Sequence, residues 1–229
     1  MAGRKRTARD QRRRTHGQNF LRRQSVVREL LARAEVTAGE HVVDLGAGAG
    51  ALTLPLARAG ALVTAVERDP VWADELRRRV RREGFAEHVA VVRADARRFR
   101  LPDPPYRVAG NLPFGLTTEL LRGLLDDPDR GPDRADLLVQ REVAAKRAAL
   151  PPTTLQSAAW APWWTFELGP VVPREAFRPI PRVDGAWLVV RKRTPALLPT
   201  WLAPDFAAVL RERWDPPPRA TKSPGRPRG

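Results

Sequence analysis

The sequence predicts a doubly wound, Rossmann-like α/β fold: a mostly parallel sheet that ends in an antiparallel hairpin and carries a short helical appendage at its C-terminal side. Three observations predict it. Short apolar runs bounded by turn residues alternate with segments of helical spacing. The runs are apolar throughout, as expected of strands buried on both faces beneath crossover helices. The last two runs are joined by the Pro-rich stretch Pro170 to Pro181, too short for a crossover helix, so that pair is expected to be antiparallel.

Each element has its own signal. Residues 1–15 hold seven Arg/Lys and one Asp without apolar periodicity, and are expected to form a basic, flexible arm. Val26-Val27-Arg28-Glu29-Leu30-Leu31-Ala32 repeats apolar residues at helical spacing, predicting a helix over about 24 to 35. His41–Leu45 reads as a strand ending in a glycine loop. Leu52–Ala59 reads as a helix stopped by Gly60. Leu62–Glu67 is a second strand, and Pro70–Glu83 a helix opening on proline, where the missing N–H costs little. Val89–Arg93, Tyr106–Gly110 and Asp136–Gln140 complete five parallel strands. Thr165–Leu168 and Ala186–Lys192 form the hairpin, and Asp205–Trp214 the appended helix. Pro216-Pro217-Pro218 ends that helix, and the Pro/Arg/Gly tail beyond cannot pack. Five parallel strands closed by a hairpin suit a methyltransferase sheet better than a dinucleotide dehydrogenase.

Composition excludes several chemistries. The chain of 229 residues has no Cys, which removes disulfides, thiolate zinc sites and cysteine nucleophiles, and fits a reducing cytoplasm. No apolar run approaches the ~20 residues that span a bilayer, so no membrane role is expected. His16, His41 and His88 are scattered without companion ligands, so no metal is inferred. The net charge of +15 divides into +6 on residues 1–15, +3 on 215–229 and +6 on the body between. Basic tails also serve solubility; a basic body as well favours a nucleic-acid partner, because each Lys or Arg on a phosphate releases a counterion.

Three strand ends carry candidate chemistry. Asp44-Leu45-Gly46-Ala47-Gly48-Ala49-Gly50 places glycines at alternate positions after a strand, permitting a tight turn and close approach of a ligand. Glycine spacing alone is weak evidence, but the run differs from the G-x-G-x-x-G of dehydrogenases. Glu67 closes the next strand, where a carboxylate can accept hydrogen bonds from ribose hydroxyls. Asp95 follows the third; alone it reads as a helix cap, but beside Asp44 and Glu67 it can accept from an adenine amine.

Gly110-Asn111-Leu112-Pro113-Phe114 follows the fourth strand. In isolation it is an ordinary turn. In register with the glycine loop it suits an exocyclic adenine amine, a poor nucleophile whose lone pair is delocalised into the ring. The Asn111 side-chain oxygen and the Leu112 carbonyl can accept its two N–H groups, and Pro113 stiffens the loop. Phe114 offers a stacking face worth ~1–3 kcal/mol to an extruded base.

These segments, in order, resemble the rRNA adenine N6-methyltransferases. His16-Gly17-Gln18-Asn19-Phe20-Leu21, Asp44–Gly50, Glu67, Asp95 and Asn111-Leu112-Pro113-Phe114 carry the resemblance, together with residues 140–147 and 177–184. Gly115-Leu116-Thr117-Thr118-Glu119-Leu120-Leu121 and the Trp163-Trp164 pair look most like the erythromycin-resistance (Erm) methyltransferases of 23S rRNA. The small-subunit (16S) dimethyltransferases of ribosome maturation are the alternative. The resemblance implies S-adenosylmethionine as cofactor and ribosomal RNA, in nascent large subunits, as partner of a cytoplasmic monomer. It also implies macrolide-type resistance as the outcome. Gln18, Asn19 and Leu21 would line the methionine end of the cofactor beside Gly46 and Gly48. Glu67 would hold the ribose and Asp95 with Ala96 the cofactor adenine, while Asn111 would face both donor and target.

The chain then divides into the arm 1–15, a methyltransferase domain 16–194, a reduced helical segment 195–214 and a basic, disordered tail 215–229. Phe20 and Phe177 are outside candidates for the target pocket. Arg174, Arg178 and Arg182 either touch phosphates or cover the Pro-rich loop.

Overall fold

A computed structural model describes residues 19–215. The expected arm 1–15, all but the first residue of the expected tail, and the candidate cofactor residue Gln18 lie outside the described residues.

The described residues open with the two-residue strand β1 (Phe20–Leu21) and the helix α1 (Gln24–Ala34). Then β2 (His41–Leu45), α2 (Thr53–Arg58), β3 (Leu62–Glu67), α3 (Pro70–Arg82) and β4 (Val89–Arg93) alternate. The second half holds β5 (Arg107–Asn111), α4 (Thr117–Leu125), β6 (Arg134–Gln140), α5 (Arg141–Arg147) and α6 (Leu155–Trp160). Next come β7 (Trp164–Val172), β8 (Phe177–Arg178), β9 (Gly185–Lys192) and α7 (Ala203–Arg213).

Seven strands form one sheet in the order β4-β3-β2-β5-β6-β9-β7. The first five run parallel and the last two form the antiparallel hairpin the sequence predicts. β2, β3 and β4 begin and end on the predicted residues; β5 and β6 are displaced or extended by one or two. β7 runs on to Val172 through an irregularity between Leu168 and Val171, which lets it pass the proline at 170.

Helices α4, α5 and α6 are additional to those read from the sequence. The first carries a usable signal: Leu120, Leu121, Leu124 and Leu125 recur at helical spacing and are all buried. The other two are only seven and six residues long, too short for a period to show. The sheet separates two apolar clusters. One holds α1, α2 and part of α3; the other holds α4, the three tryptophans Trp160, Trp163 and Trp164, and the foot of α7. Burying such side chains contributes roughly 1.5–3 kcal/mol each. The predicted C-terminal helix docks through Phe206, whose ring meets Trp163 edge-on at 5.9 Å.

The two-residue ladder between β1 and β8, Phe20 with Arg178 and Leu21 with Phe177, has no sequence signature. It draws the segment before α1 across the carboxyl ends of the parallel strands. In such a sheet those ends form the ligand crevice.

Candidate active site

Most of the candidate residues converge on one cleft at the carboxyl ends of β2, β3, β4 and β5; Leu112, which is buried, and Phe114 stand behind it and do not line it. Asn19, Gly46, Glu67, Asp95, Ala96 and Asn111 all line it. Leu21 does not: it is buried in the core and reaches an adjoining cleft shared with Gly46 and Asn111, and the groove between α1 and α2. Gly48 acts through its backbone, not as cleft wall. Val66, Arg68, Ala94, Leu116 and Leu120 also line the cleft; Leu116 and Leu120 belong to the segment that carries the Erm resemblance, but nothing in the local pattern of any of the five marks it as cleft wall, because the sheet assembles them from separate loops.

The glycine loop is built by backbone requirements. Gly46, Gly48 and Gly50 have φ of +77°, +55° and +87°. A Cβ on Gly48 would stand 2.8 Å from the ring of Phe20, so a side chain there displaces the aromatic. A Cβ on Gly46 would sit 3.6 Å from the Asn111 carbonyl, which shows how closely the loop approaches that corner. Phe20 leans on Trp72, their ring centres 4.8 Å apart, and walls the cleft on the loop side. Of the two outside aromatic candidates, Phe20 therefore stands beside the glycine loop. Phe177 is buried behind Phe114, whose ring it meets near edge-on at 6.1 Å.

Glu67 ends β3 with both carboxylate oxygens engaged: Gly48 N–H donates to Oε2 at 2.8 Å and Asp69 N–H to Oε1 at 2.7 Å. Those bonds orient the group at the cleft wall, and a carboxylate oxygen can accept more than one hydrogen bond. Burial pushes its pKa up, against the lowering effect of the backbone N–H groups of Asp69, Gly48 and Arg68. Asp44 lies deeper. It is buried at the end of β2, accepts from the Thr53 hydroxyl at 2.6 Å, and is pushed up to about 7 by desolvation, with a smaller push from Glu67.

Asp95 differs. The Arg97 side chain grips it through Nε to Oδ1 at 3.0 Å and Nη2 to Oδ2 at 2.6 Å, and Arg68 Nη1 stands 3.6 Å from Oδ2. The Arg97 guanidinium holds this carboxyl well below the usual range. The Asp95 carboxylate thus faces the cleft with its acceptors already occupied.

At the far end, Asn111 closes β5. Its Nδ2–H donates to the Asn19 carbonyl at 2.6 Å, and Leu112 N–H donates to the Leu138 carbonyl at 3.0 Å. Among the described residues neither Asn111 Oδ1 nor the Leu112 carbonyl accepts a hydrogen bond. Two acceptors therefore stand at the corner that Pro113 rigidifies, with the half-buried Phe114 beside them. Among the described residues there is no cluster of three or more His, Asp or Glu that could hold a metal, and no helix is long and apolar enough to cross a membrane.

Comparison with known proteins gives a consistent picture. Residues 9–213 match the family described as ribosomal RNA adenine dimethylase. An rRNA adenine N-6-methyltransferase of Corynebacterium diphtheriae is 41% identical over 195 residues, 85% of this chain and 74% of that protein. The mycinamicin-resistance protein MyrB of Micromonospora griseorubida is 40% identical, over 92% of this chain and 67% of its own length. The crystal structure of the 23S rRNA methyltransferase ErmE superposes with a TM-score of 0.74 at 28% identity, covering 84% of this chain and 78% of that one.

Proposed function

We propose a reaction for this chain from one premise: it belongs to the ribosomal RNA adenine dimethylase family. The reaction is methyl transfer from S-adenosylmethionine to the N6 amine of an adenine in 23S rRNA, in nascent large subunits, with macrolide-type resistance as its consequence. The relatives that carry the 23S and resistance names support the substrate. The single observation that carries the chemistry is Asn111, its amide nitrogen tied to Asn19 and its oxygen left as acceptor, at the end of a cleft that Glu67 and Asp95 also line.

The cleft fits the donor. Glu67 is preoriented for ribose hydroxyls, Gly46 and Gly48 leave room where side chains would intrude, and Ala96 and Asp95 border the adenine end. Bound S-adenosylmethionine supplies an electrophilic methyl carbon on a sulfonium. The chain's residues then do three things. Asn111 Oδ1 and the Leu112 carbonyl hold the two N6 hydrogens, which localises the amine lone pair and points it at the methyl. Phe114 stacks the extruded purine. Asn19, tied to Asn111, keeps donor cleft and target corner in register. The attacking nitrogen becomes acidic once alkylated and loses its proton without a strong base, so orientation and fixed dipoles supply most of the acceleration.

The test is methyl mapping on both ribosomal RNAs after expression in a susceptible host, with mass spectrometry of the modified nucleoside. The expected mark is N6-methylated adenine in 23S rRNA with macrolide resistance. A mark on 16S rRNA alone selects the small-subunit alternative, and absence of S-adenosylmethionine binding in calorimetry overturns the reading altogether.

A further inference from the structure

Two open grooves flank this corner, and they differ in charge. One, between the start of α5 and the loop before β9, is lined by Arg141, Arg174 and Arg182 but also by Glu142, Glu175 and Asp184, so its charges cancel. The other lies between α1 and α2. Arg22, Arg23, Arg28, Arg58 and Arg79 line it, and among the described residues no acidic one does.

The five arginines are not equivalent. Arg58 and Arg79 both pair with Glu83, and Arg79 also donates to the Ala49 carbonyl at 2.7 Å, so these two are committed to holding α2, α3 and the glycine loop together. Arg22, Arg23 and Arg28 are exposed, and none makes an ion pair among the described residues. Arg23 does stand near Glu175. That carboxyl is held down first by a backbone hydrogen bond and then by Arg174, with Arg23 the smallest contributor.

Position gives the charge a direction. Leu21, Ala51 and Arg79 line both this groove and the adjoining cleft that reaches Gly46 and Asn111, so the groove opens toward the target corner. Arg22 is fixed there: its backbone N–H donates to the Ala176 carbonyl at 2.8 Å, next to the β1–β8 ladder that backs Phe114. Exposed guanidiniums match phosphate oxygens with a planar fork of donors.

We infer that the α1–α2 groove is a phosphate track for the substrate RNA, in which Arg22, Arg23 and Arg28 take the phosphodiester backbone flanking the adenine presented at Asn111. The inference rests on the RNA-methyltransferase reading above and adds the surface on which the strand lies. The neutral groove beside α5 has no such excess of positive charge to offer.

The test measures binding of a hairpin transcript of the 23S target region across a salt series, for wild type and for the triple variant Arg22→Gln, Arg23→Gln, Arg28→Gln. Losing three phosphate contacts should weaken binding roughly tenfold or more near 0.15 M salt and flatten the slope of log affinity against log salt by about 2–3. The defect should appear in KM for RNA more than in kcat, S-adenosylmethionine affinity should persist, and the matching triple Lys variant should recover most of the binding. Should the triple Gln variant not fold, Arg28→Gln alone should lower the slope by about 1. A Gln variant that folds, binds the donor and keeps the wild-type RNA affinity and salt slope overturns the track. Wild-type protein that binds no donor sinks the parent reading instead, a separate result.

Discussion

Asn111 donates its side-chain Nδ2–H to the backbone carbonyl of Asn19 across 2.6 Å. Only the amide nitrogen can serve a carbonyl, so this one contact leaves Oδ1 as the end of the Asn111 side chain that the proposed reaction would turn to the amine. It also ties the segment before α1 to the end of β5, so donor cleft and target corner share a hinge point.

Asn111→Asp and Asn111→Ala should therefore fail differently. The aspartate sets a carboxylate oxygen against the Asn19 carbonyl, two acceptors in repulsion, and should lose both the amine contact and the Asn19 tether. Methyl transfer should fall by about 10²-fold or more, as for loss of a fixed transition-state dipole. Donor affinity should weaken several-fold in addition. The alanine variant should show the same loss of transfer with donor binding still measurable. Single-turnover methylation and calorimetry separate the two effects, and an aspartate variant with near-wild-type transfer would refute the acceptor role.

On the proposed reading, Arg97 and the cofactor adenine would compete for Asp95. Both Asp95 oxygens accept from the Arg97 guanidinium, so an adenine amine must share or displace it. Arg97→Ala should bind both S-adenosylmethionine and its demethylated product more tightly, by a few-fold, because an exposed pair of this kind is worth ~1 kcal/mol or less. Slower product release should then lower kcat while KM for the donor also falls. Calorimetry with each ligand reads the change directly; weaker binding in the variant would show that Arg97 supports the site.

Some of this was legible in the sequence and some was not, for physical reasons. His41–Leu45 and Leu62–Glu67 are apolar runs with sharp ends, and the sheet reproduces both to the residue. Glu67 and Asp95 were legible because a carboxylate at the end of such a run, or within two residues of it, falls in the crevice. The Arg97 clamp on Asp95 was not, since a basic residue two positions on is commonplace in a chain this rich in arginine. Asp44 could be seen as part of the glycine run, but its depth could not; that depends on Thr53 and on β3 and β5 packing around it. The β1–β8 ladder joins two-residue pieces more than 150 positions apart, below the length at which strand periodicity exists.

Asp44 should make stability fall as pH rises through the neutral range. Its carboxyl is pushed from 3.8 to about 7 in the folded chain, so between those values the native state holds a proton that the unfolded state has released. The native state is thus penalised progressively from about pH 4 upward, and fully above about pH 7, by at most ~4 kcal/mol. Asp44→Asn removes the titration while keeping an acceptor for Thr53. The variant should gain on wild type as pH rises, with the difference widest above neutrality and shrinking toward pH 4. Urea unfolding of both proteins at a series of pH values checks this, and a difference independent of pH would mean that Asp44 is ionised in the fold.

Asp136 anchors the other end of the N-terminal segment. Buried in β6, it takes Arg134 through Nε and Nη2, each at 2.9 Å, and stands 3.7 Å from Arg107. Those guanidiniums in turn donate to carbonyls at the C-terminal end of α1: Arg134 to Arg33 at 2.7 Å and Arg107 to Ala34. Asp136, with Glu40 on Arg107, thus balances two arginines that cap the helix whose other end leads back to Asn19. Asp136→Ala leaves both cations buried, Arg107 still paired with Glu40 at 2.8 Å but Arg134 with no carboxylate. The expected loss is about 3–5 kcal/mol, the usual cost of an uncompensated buried charge. Replacing Asp136 and Arg134 together by leucine and methionine should restore much of it, because the penalty arises from the orphaned charge and not from absence of the pair. Chemical denaturation of the single and double variants measures the loss and its recovery; an Asp136→Ala cost below ~1 kcal/mol would show that the arginines find solvent without it.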